Sequence, residues 1–167
     1  MDNPVVSIIM GSKSDYDIMK KAGDILEKFK VPYEIDIMSA HRTPEKVASF
    51  STQAKGRGIQ VIICGAGMSA HLAGVVAAHT DLPVIGVPLC SSGALGGVDA
   101  LLSTSQMPQG VPVAAVAVNG SANAALLAVK ILALRDESLQ KKIQDFKRDM
   151  QKDVENASRK IKSGEKP

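Results

Sequence analysis

The chain has 167 residues, a formal net charge of +3 and 45% hydrophobic residues. That is enough for one folded domain and too apolar for a disordered chain. Aromatic residues make up 3% with no Trp, and Lys and Arg are spread along the chain, so the basic patch or stacking aromatics of a nucleic-acid binder are missing. The opening Met1-Asp2-Asn3-Pro4 lacks the basic and apolar regions of a secretion signal, and no apolar run reaches the length of a membrane span. Two cysteines, Cys64 and Cys90, are too few for a disulfide framework. A cytoplasmic location and no membrane partner are the expectation.

Val5 to Met10 is apolar, β-rich and stopped by Gly11, which predicts a buried strand. Tyr16 to Lys30 carries Ile18, Met19, Ala22, Ile25, Leu26 and Phe29 at helical spacing. Tyr33 to Ile37 is a second strand. A helix follows over Pro44–Lys55, with Thr43 as a cap and Pro44 suited to the first helical position. Val61 to Cys64 is a third strand, Ala70 to Ala78 a helix, and Val84 to Val87 a fourth strand. A Ser/Gly-rich loop, Cys90 to Gly97, leads to a short helix near Asp99. Val113 to Val118 predicts a fifth strand and Ala122 to Leu134 an Ala/Leu-rich helix.

Strands apolar on both faces, alternating with helices, predict an α/β fold: a parallel five-stranded sheet covered on both sides, three layers in a single flavodoxin-like domain over 1–167. From Asp136 to Lys162 the chain is charged, yet Leu139, Ile143, Phe146, Met150, Val154, Ala157 and Ile161 recur every three or four residues. This predicts one long amphipathic C-terminal helix. Its length exceeds a small sheet, so part of its stripe is expected to meet a neighbouring subunit.

Ligands of open α/β sheets bind beyond the C-terminal strand ends. Four polar, small-residue segments fall there. Gly11-Ser12-Lys13-Ser14-Asp15 suits an anion at a helix start, with Asp15 able to accept from ribose hydroxyls; it reads equally as a plain capped turn. It is not a P-loop, because the required Gly and Lys spacing is absent. Ser39-Ala40-His41-Arg42-Thr43-Pro44 joins a side chain that titrates near neutrality to a guanidinium fork suited to phosphate. At a strand end, function is the better reading of His41 and Arg42 than a surface pair.

Gly65-Ala66-Gly67-Met68-Ser69-Ala70-His71 superficially matches a dinucleotide fingerprint. The acidic residue that should end the next strand is missing, which excludes NAD. Its glycines suggest backbone amides close to a small anion or carboxylate. Taken alone, His71 reads as a helix-packing residue. Pro88 to Gly93 is the fourth segment; without a flanking charge, Cys90 has no activating partner. His79 reads as a helix-end residue and Cys64 as core. The scattered histidines give no metal-site spacing.

Together these loops resemble the class I carboxyaminoimidazole ribonucleotide mutases, which show Gly-Ser-x-Ser-Asp, Ser-Ala-His-Arg-Thr-Pro, a Gly-Val-Pro strand end, Gln-Met-Pro-x-Gly-x-Pro-Val and Asn-Ala-Ala-Leu-Leu-Ala. Here these are Gly11–Asp15, Ser39–Pro44, Gly86–Pro88, Gln106–Val113 and Asn123–Ala128. In the third strand-end motif, Met68, Ser69 and Ala73 replace the usual Gly, Ala and Pro. The loop Leu89–Val98 is about one residue longer than usual, and Thr104-Ser105 replaces an apolar pair.

The resemblance implies a carboxyl shift on a ribonucleotide in purine synthesis, with no metal or organic cofactor. His41 would shuttle the proton. Ser12, Ser14, Ser39 and Arg42 would hold the phosphate, Asp15 the ribose, and Gly67, Met68 and His71 the carboxylate end. It also implies a homo-oligomer, an octamer. Class II relatives, which carboxylate aminoimidazole ribonucleotide with free carbon dioxide, carry Ser-Ala-His-Lys; Arg42 and His71 favour class I. A flavodoxin-like binder of flavin or a sugar phosphate is a further alternative, but no aromatic residue falls clearly in a ligand loop.

Overall fold

The structure, a computed structural model, describes residues 3–91 and 95–166. Residues 92–94 of the Ser/Gly-rich loop lie outside the described residues. The chain groups into two compact units, Met1–Ile131 and Leu132–Pro167.

The first unit is built on five parallel strands: β1 (Val6–Met10), β2 (Tyr33–Ile37), β3 (Val61–Gly67), β4 (Val84–Leu89) and β5 (Ala114–Ala115). They lie in the order β2-β1-β3-β4-β5, the flavodoxin-like arrangement. The helices are α1 (Tyr16–Phe29), α2 (Pro44–Ala54), α3 (Leu72–Ala78), α4 (Val98–Ser105) and α5 (Ser121–Leu132). Strands β1, β3 and β4 sit in the middle because Ser7 is their only residue with a polar side chain outside cysteine. Burying each large aliphatic side chain contributes roughly 1.5–3 kcal/mol.

Alternation along the strands sends residues to two layers. Ile9, Ile62 and Cys64 pack with Val47 of α2 and with Leu72, Ala73 and Val76 of α3. On the opposite face, a Cβ on Gly65 would lie 2.3 Å from Met19 Sδ of α1, so any larger residue here would have to displace the Met19 side chain. Helix α5 joins α1 through the Ser121 hydroxyl, which donates to the Ile18 carbonyl at 2.5 Å. A Cβ on Gly86 would meet both Thr104 of α4 and Ala73 of α3, which places α4 on the α3 side.

Several boundaries differ from the sequence reading. Strand β3 runs on through Gly65-Ala66-Gly67, because Gly65 serves the packing of Met19 rather than a loop. Strand β4 runs on through Pro88 and Leu89. Proline gives the ladder no donor, but the Pro88 carbonyl still accepts from Asn119 N at 2.8 Å. Strand β5 shrinks to two exposed residues. Beyond them, Val116 N still donates to Gly86 O at 3.0 Å, so the segment stays against β4 without a regular ladder. Strand β2 is not apolar on both faces. It alternates Tyr33, Ile35 and Ile37 with Glu34 and Asp36, as an edge strand does. The two carboxylates pair with Arg57 and Lys46.

Helix α1 ends at Lys30, whose φ of 56° is left-handed. Val31 N then donates to Leu26 O at 2.9 Å, a closure that satisfies the last carbonyls.

The second unit is dominated by α6 (Glu137–Lys162). The Asp136 carboxylate accepts from Ser138 N at 2.9 Å and Leu139 N at 3.2 Å, so it caps the helix start. Those bonds and the Ser138 hydroxyl hold its pKa below the ordinary range. Leu139 is buried, while Met150, Val154 and Ile161 are exposed. No helix among the described residues is long and apolar enough to cross a membrane.

Candidate active site

The chain crosses from β2 on one side of β1 to β3 on the other. The loops after these strands must therefore part at the β1/β3 boundary, where α/β sheets hold ligands. A cleft of about 450 Å³ opens there. The loop after β1 contributes Ser12, Ser14 and Asp15; the loop after β2 contributes Ser39, His41 and Arg42; the end of β3 and its loop contribute Gly67, Met68 and His71. All nine residues singled out from the sequence thus line one cavity.

The first loop is a capped turn and also borders the cleft. Ser12 caps the short 3-10 turn Lys13–Asp15: its hydroxyl accepts from Ser14 N at 3.3 Å and from the Ser14 hydroxyl at 3.0 Å. Asp15 makes no side-chain cap bond to α1. Its carboxylate is instead held in the cleft wall, with the residue 7% exposed. Burial pushes its pKa above the ordinary carboxylate value, and Ser14, the Ser12 backbone and the Arg42 charge only partly oppose this. Burial thus makes ionisation of Asp15 harder than for an exposed carboxylate.

A consequence can be measured. With the folded pKa raised, the contribution of Asp15 to stability is fully present below the unfolded value of about 3.9 and is lost as pH rises through the folded value. Asp15→Asn is expected to raise the melting temperature of the purified protein, measured without added nucleotide, at neutral pH. The gain should fade in acid below about pH 4. A variant that melts lower than the parent at neutral pH would show that the carboxylate stabilises the fold.

The second loop is closed by its own side chains. Thr43 takes the N-cap position of α2 expected from sequence, but its hydroxyl makes no cap bond. Its hydroxyl turns back, accepting from Ser39 N at 2.9 Å and donating to Ser39 O at 3.1 Å. The Ser39 hydroxyl accepts from Arg42 N at 3.2 Å and from Arg42 Nε at 3.4 Å. The Arg42 guanidinium reaches across to the first loop, where Nη2 donates to Gly11 O at 2.6 Å. The fork therefore lies beside the Ser12 and Ser14 hydroxyls that line the same cleft.

The third loop turns tightly. Ala70 N donates to Met68 O at 2.9 Å and His71 N to Ser69 O at 2.8 Å, which delays the start of α3 to Leu72. Met68 has φ of 55°, a left-handed conformation that costs a residue other than glycine about 1–3 kcal/mol. Its side chain is 55% exposed. Gly67 is required by its neighbour, since a Cβ there would fall 2.0 Å from Ser91 Oγ.

These loops bring the two histidines together. His41 Nε2 lies 2.9 Å from His71 Nδ1, and the rings meet edge-on at 83° with centroids 5.1 Å apart. His71 is thus not a helix-packing residue, as it reads in isolation. The contact uses one nitrogen of each ring and leaves His41 Nδ1 and His71 Nε2 for other partners.

Ser91, at the end of β4, also lines the cleft. Sequence reasoning placed its segment on the ligand side but did not single it out. His79 ends α3 and Cys64 is buried, with burial pushing its thiol pKa far up. Cys90 is exposed. Among the described residues, no three His, Cys, Asp or Glu side chains converge to hold a metal ion.

Residues 5–153 match the family described as AIR carboxylase. The chain belongs to that family. It is 51% identical over 160 residues to the N5-carboxyaminoimidazole ribonucleotide mutase of Pyrococcus horikoshii, covering 96% of this chain and 90% of that protein. The protein of the same name from Saccharolobus solfataricus is 53% identical over 90% of this chain and 95% of its own length. The phosphoribosylaminoimidazole carboxylase of Schizosaccharomyces pombe is 54% identical over 92% of this chain, which spans 28% of that longer protein. Among solved structures, Treponema denticola PurE superimposes with a TM-score of 0.82 at 33% identity, over 93% of this chain and 98% of that one.

Proposed function

We propose that this member of the AIR carboxylase family is a mutase that converts N5-carboxyaminoimidazole ribonucleotide to 4-carboxy-5-aminoimidazole ribonucleotide in purine biosynthesis. The observation that carries the reading is the bonded His41–His71 pair, set between a wall of Ser12, Ser14, Ser39 and Arg42 and a wall of Gly67 to His71. The names of the most similar relatives support it.

The chemistry needs this arrangement. The bond from the exocyclic nitrogen to the carboxyl carbon breaks, its electron pair stays on nitrogen, and carbon dioxide is released. Nitrogen takes a proton. Carbon 4 of the imidazole then donates its electron pair to carbon dioxide and loses its own proton. No electrons are exchanged with another group, and one proton is taken up for each one lost. A single general acid–base group serves both events. His41 is that group in our reading, with His71 bonded to its ring. Arg42 and the serine hydroxyls hold the phosphate by charge-assisted bonds, and Asp15 accepts from the ribose. Gly67, Met68 and His71 border the carboxyl end. We also read the protein as a cytoplasmic homo-oligomer, an octamer, an assembly supported by the exposed Met150, Val154 and Ile161 of α6 and the exposed Val98 and Leu102 of α4.

The fungal relative named as a carboxylase makes the source of the carbon dioxide the point to test. A mutase carries it in on the substrate, so reactants stay together through the step. The protein is expected to convert N5-carboxyaminoimidazole ribonucleotide without added bicarbonate, and to carboxylate aminoimidazole ribonucleotide poorly and only at high bicarbonate. Ultraviolet absorbance of the product, with each substrate at low and high bicarbonate, reads this directly. Efficient use of aminoimidazole ribonucleotide at low bicarbonate, without turnover of the carboxyamino substrate, would overturn the mutase in favour of the carboxylase.

A further inference from the structure

Met68 is out of place by the rules of local structure. Among the described residues, three other than glycine have positive φ. Lys30 closes α1, and Asn119 uses its side chain to accept from Cys90 N at 2.9 Å. Met68 does neither. This left-handed residue opens a run of tight turns, Ala70 N to Met68 O and His71 N to Ser69 O, and glycine would adopt that φ without strain. The chain instead carries a long apolar side chain there, half exposed and lining the cleft.

Its neighbours give that side chain a purpose. Walls from the first two loops are hydroxyls, a carboxylate, an imidazole and a guanidinium, with Ala40 between them. The segments after β3 and β4 add Ser69 and Ser91, yet Ala66, Met68 and Leu72 gather there around His71. Leu72 is buried and Met68 is not, so Leu72 forms a floor and Met68 stands at the mouth. A flexible thioether can fold over a small apolar guest. Carbon dioxide is such a guest: it has no net dipole and no hydrogen to donate, and it is unattached between the breaking of its bond to nitrogen and the forming of its bond to carbon 4.

We infer that Met68 is the gate that keeps released carbon dioxide beside the imidazole, and so sets the partition between recapture and escape. The inference rests on the mutase reading. Recapture gives the carboxylated product; escape leaves aminoimidazole ribonucleotide and a carbon dioxide molecule in solution, so atoms balance on both branches.

The test compares the parent with Met68→Gly, whose backbone suits the site, and with Met68→Leu, which restores an apolar side chain. Each is given N5-carboxyaminoimidazole ribonucleotide in isotopically labelled bicarbonate. Product, label in the product and free aminoimidazole ribonucleotide are measured, and the uncatalysed loss of carbon dioxide is subtracted. In Met68→Gly the ratio of escape to recapture should rise by at least about tenfold, the low end for removing a methylene-sized contact from an apolar pocket. Met68→Leu should return it towards the parent. An unchanged ratio in Met68→Gly, or a rise in Met68→Leu as large as in Met68→Gly, overturns the gate. Failure of the parent to turn over the substrate at all would instead overturn the mutase reading, so the two failures are told apart.

Discussion

Replacing His41 with Asn is expected to lower turnover by at least about 10²-fold, the low end for losing a general acid–base group, while the folded protein still binds ribonucleotide. His41 is exposed and contributes nothing to the core, so the fold does not depend on it. Ser12, Ser14, Ser39 and Arg42, the groups we propose for the phosphate, are untouched by the change. Asparagine keeps a polar side chain that can hydrogen-bond His71, but it cannot take a proton and give it back. The decisive comparison is kcat against substrate affinity in parent and variant, with melting temperature as a control. A variant with near-normal kcat would move the proton-transfer role to His71, whose ring lies 2.9 Å away.

Arg42→Ala should act on the other half of the kinetics. If the guanidinium binds phosphate, losing charge-assisted bonds removes about 1.5–3 kcal/mol, an increase in KM of roughly 10- to 150-fold with a smaller change in kcat. Arg42→Lys should fall between, because an ammonium supplies charge without the planar fork. Arg42 also donates to Gly11 O, so a slackened loop is the competing explanation of any loss. The nucleoside lacking its phosphate separates the two: parent and variant should bind it equally if the guanidinium reads phosphate. An equal loss of affinity for nucleotide and nucleoside would mean that Arg42 only braces the loop.

Much of this site is legible in the sequence because a parallel sheet sorts polarity by position. Strand interiors such as Ile8-Ile9 and Ile62-Ile63 are apolar, so Ser12, Asp15, His41 and Arg42 stand out at the strand ends, and topology brings those ends together. What is not legible depends on distance in space. Gly65 looks like part of a loop until Met19 is found behind it. His71 looks like a packing residue until β2 places His41 against it. Ser91 carries no local signal, since its position is set by the missing Cβ of Gly67. Thr43 has the identity of a cap, but the nearby Ser39 backbone captures its hydroxyl. The brevity of β5 was hidden too, because Val113 to Val118 has the composition of a full strand and only its edge position limits its pairing.

The parallel registry of β1 with β2 pairs Met10 with Ile37, and that of β1 with β3 pairs Met10 with Gly65. From those rungs each chain has only a few residues in which to reach His41 or His71. A slip of β2 by one residue would carry its end about 3.3 Å along the sheet and invert the faces of its side chains, far more than a 2.9 Å contact between imidazoles tolerates. The ion pairs of Glu34 with Arg57 and Asp36 with Lys46 would be undone by the same slip. On the role we propose for His41, turnover is therefore a reporter of strand alignment: a preparation that has misaligned its edge strand betrays itself as dead enzyme, even where its helix content looks normal.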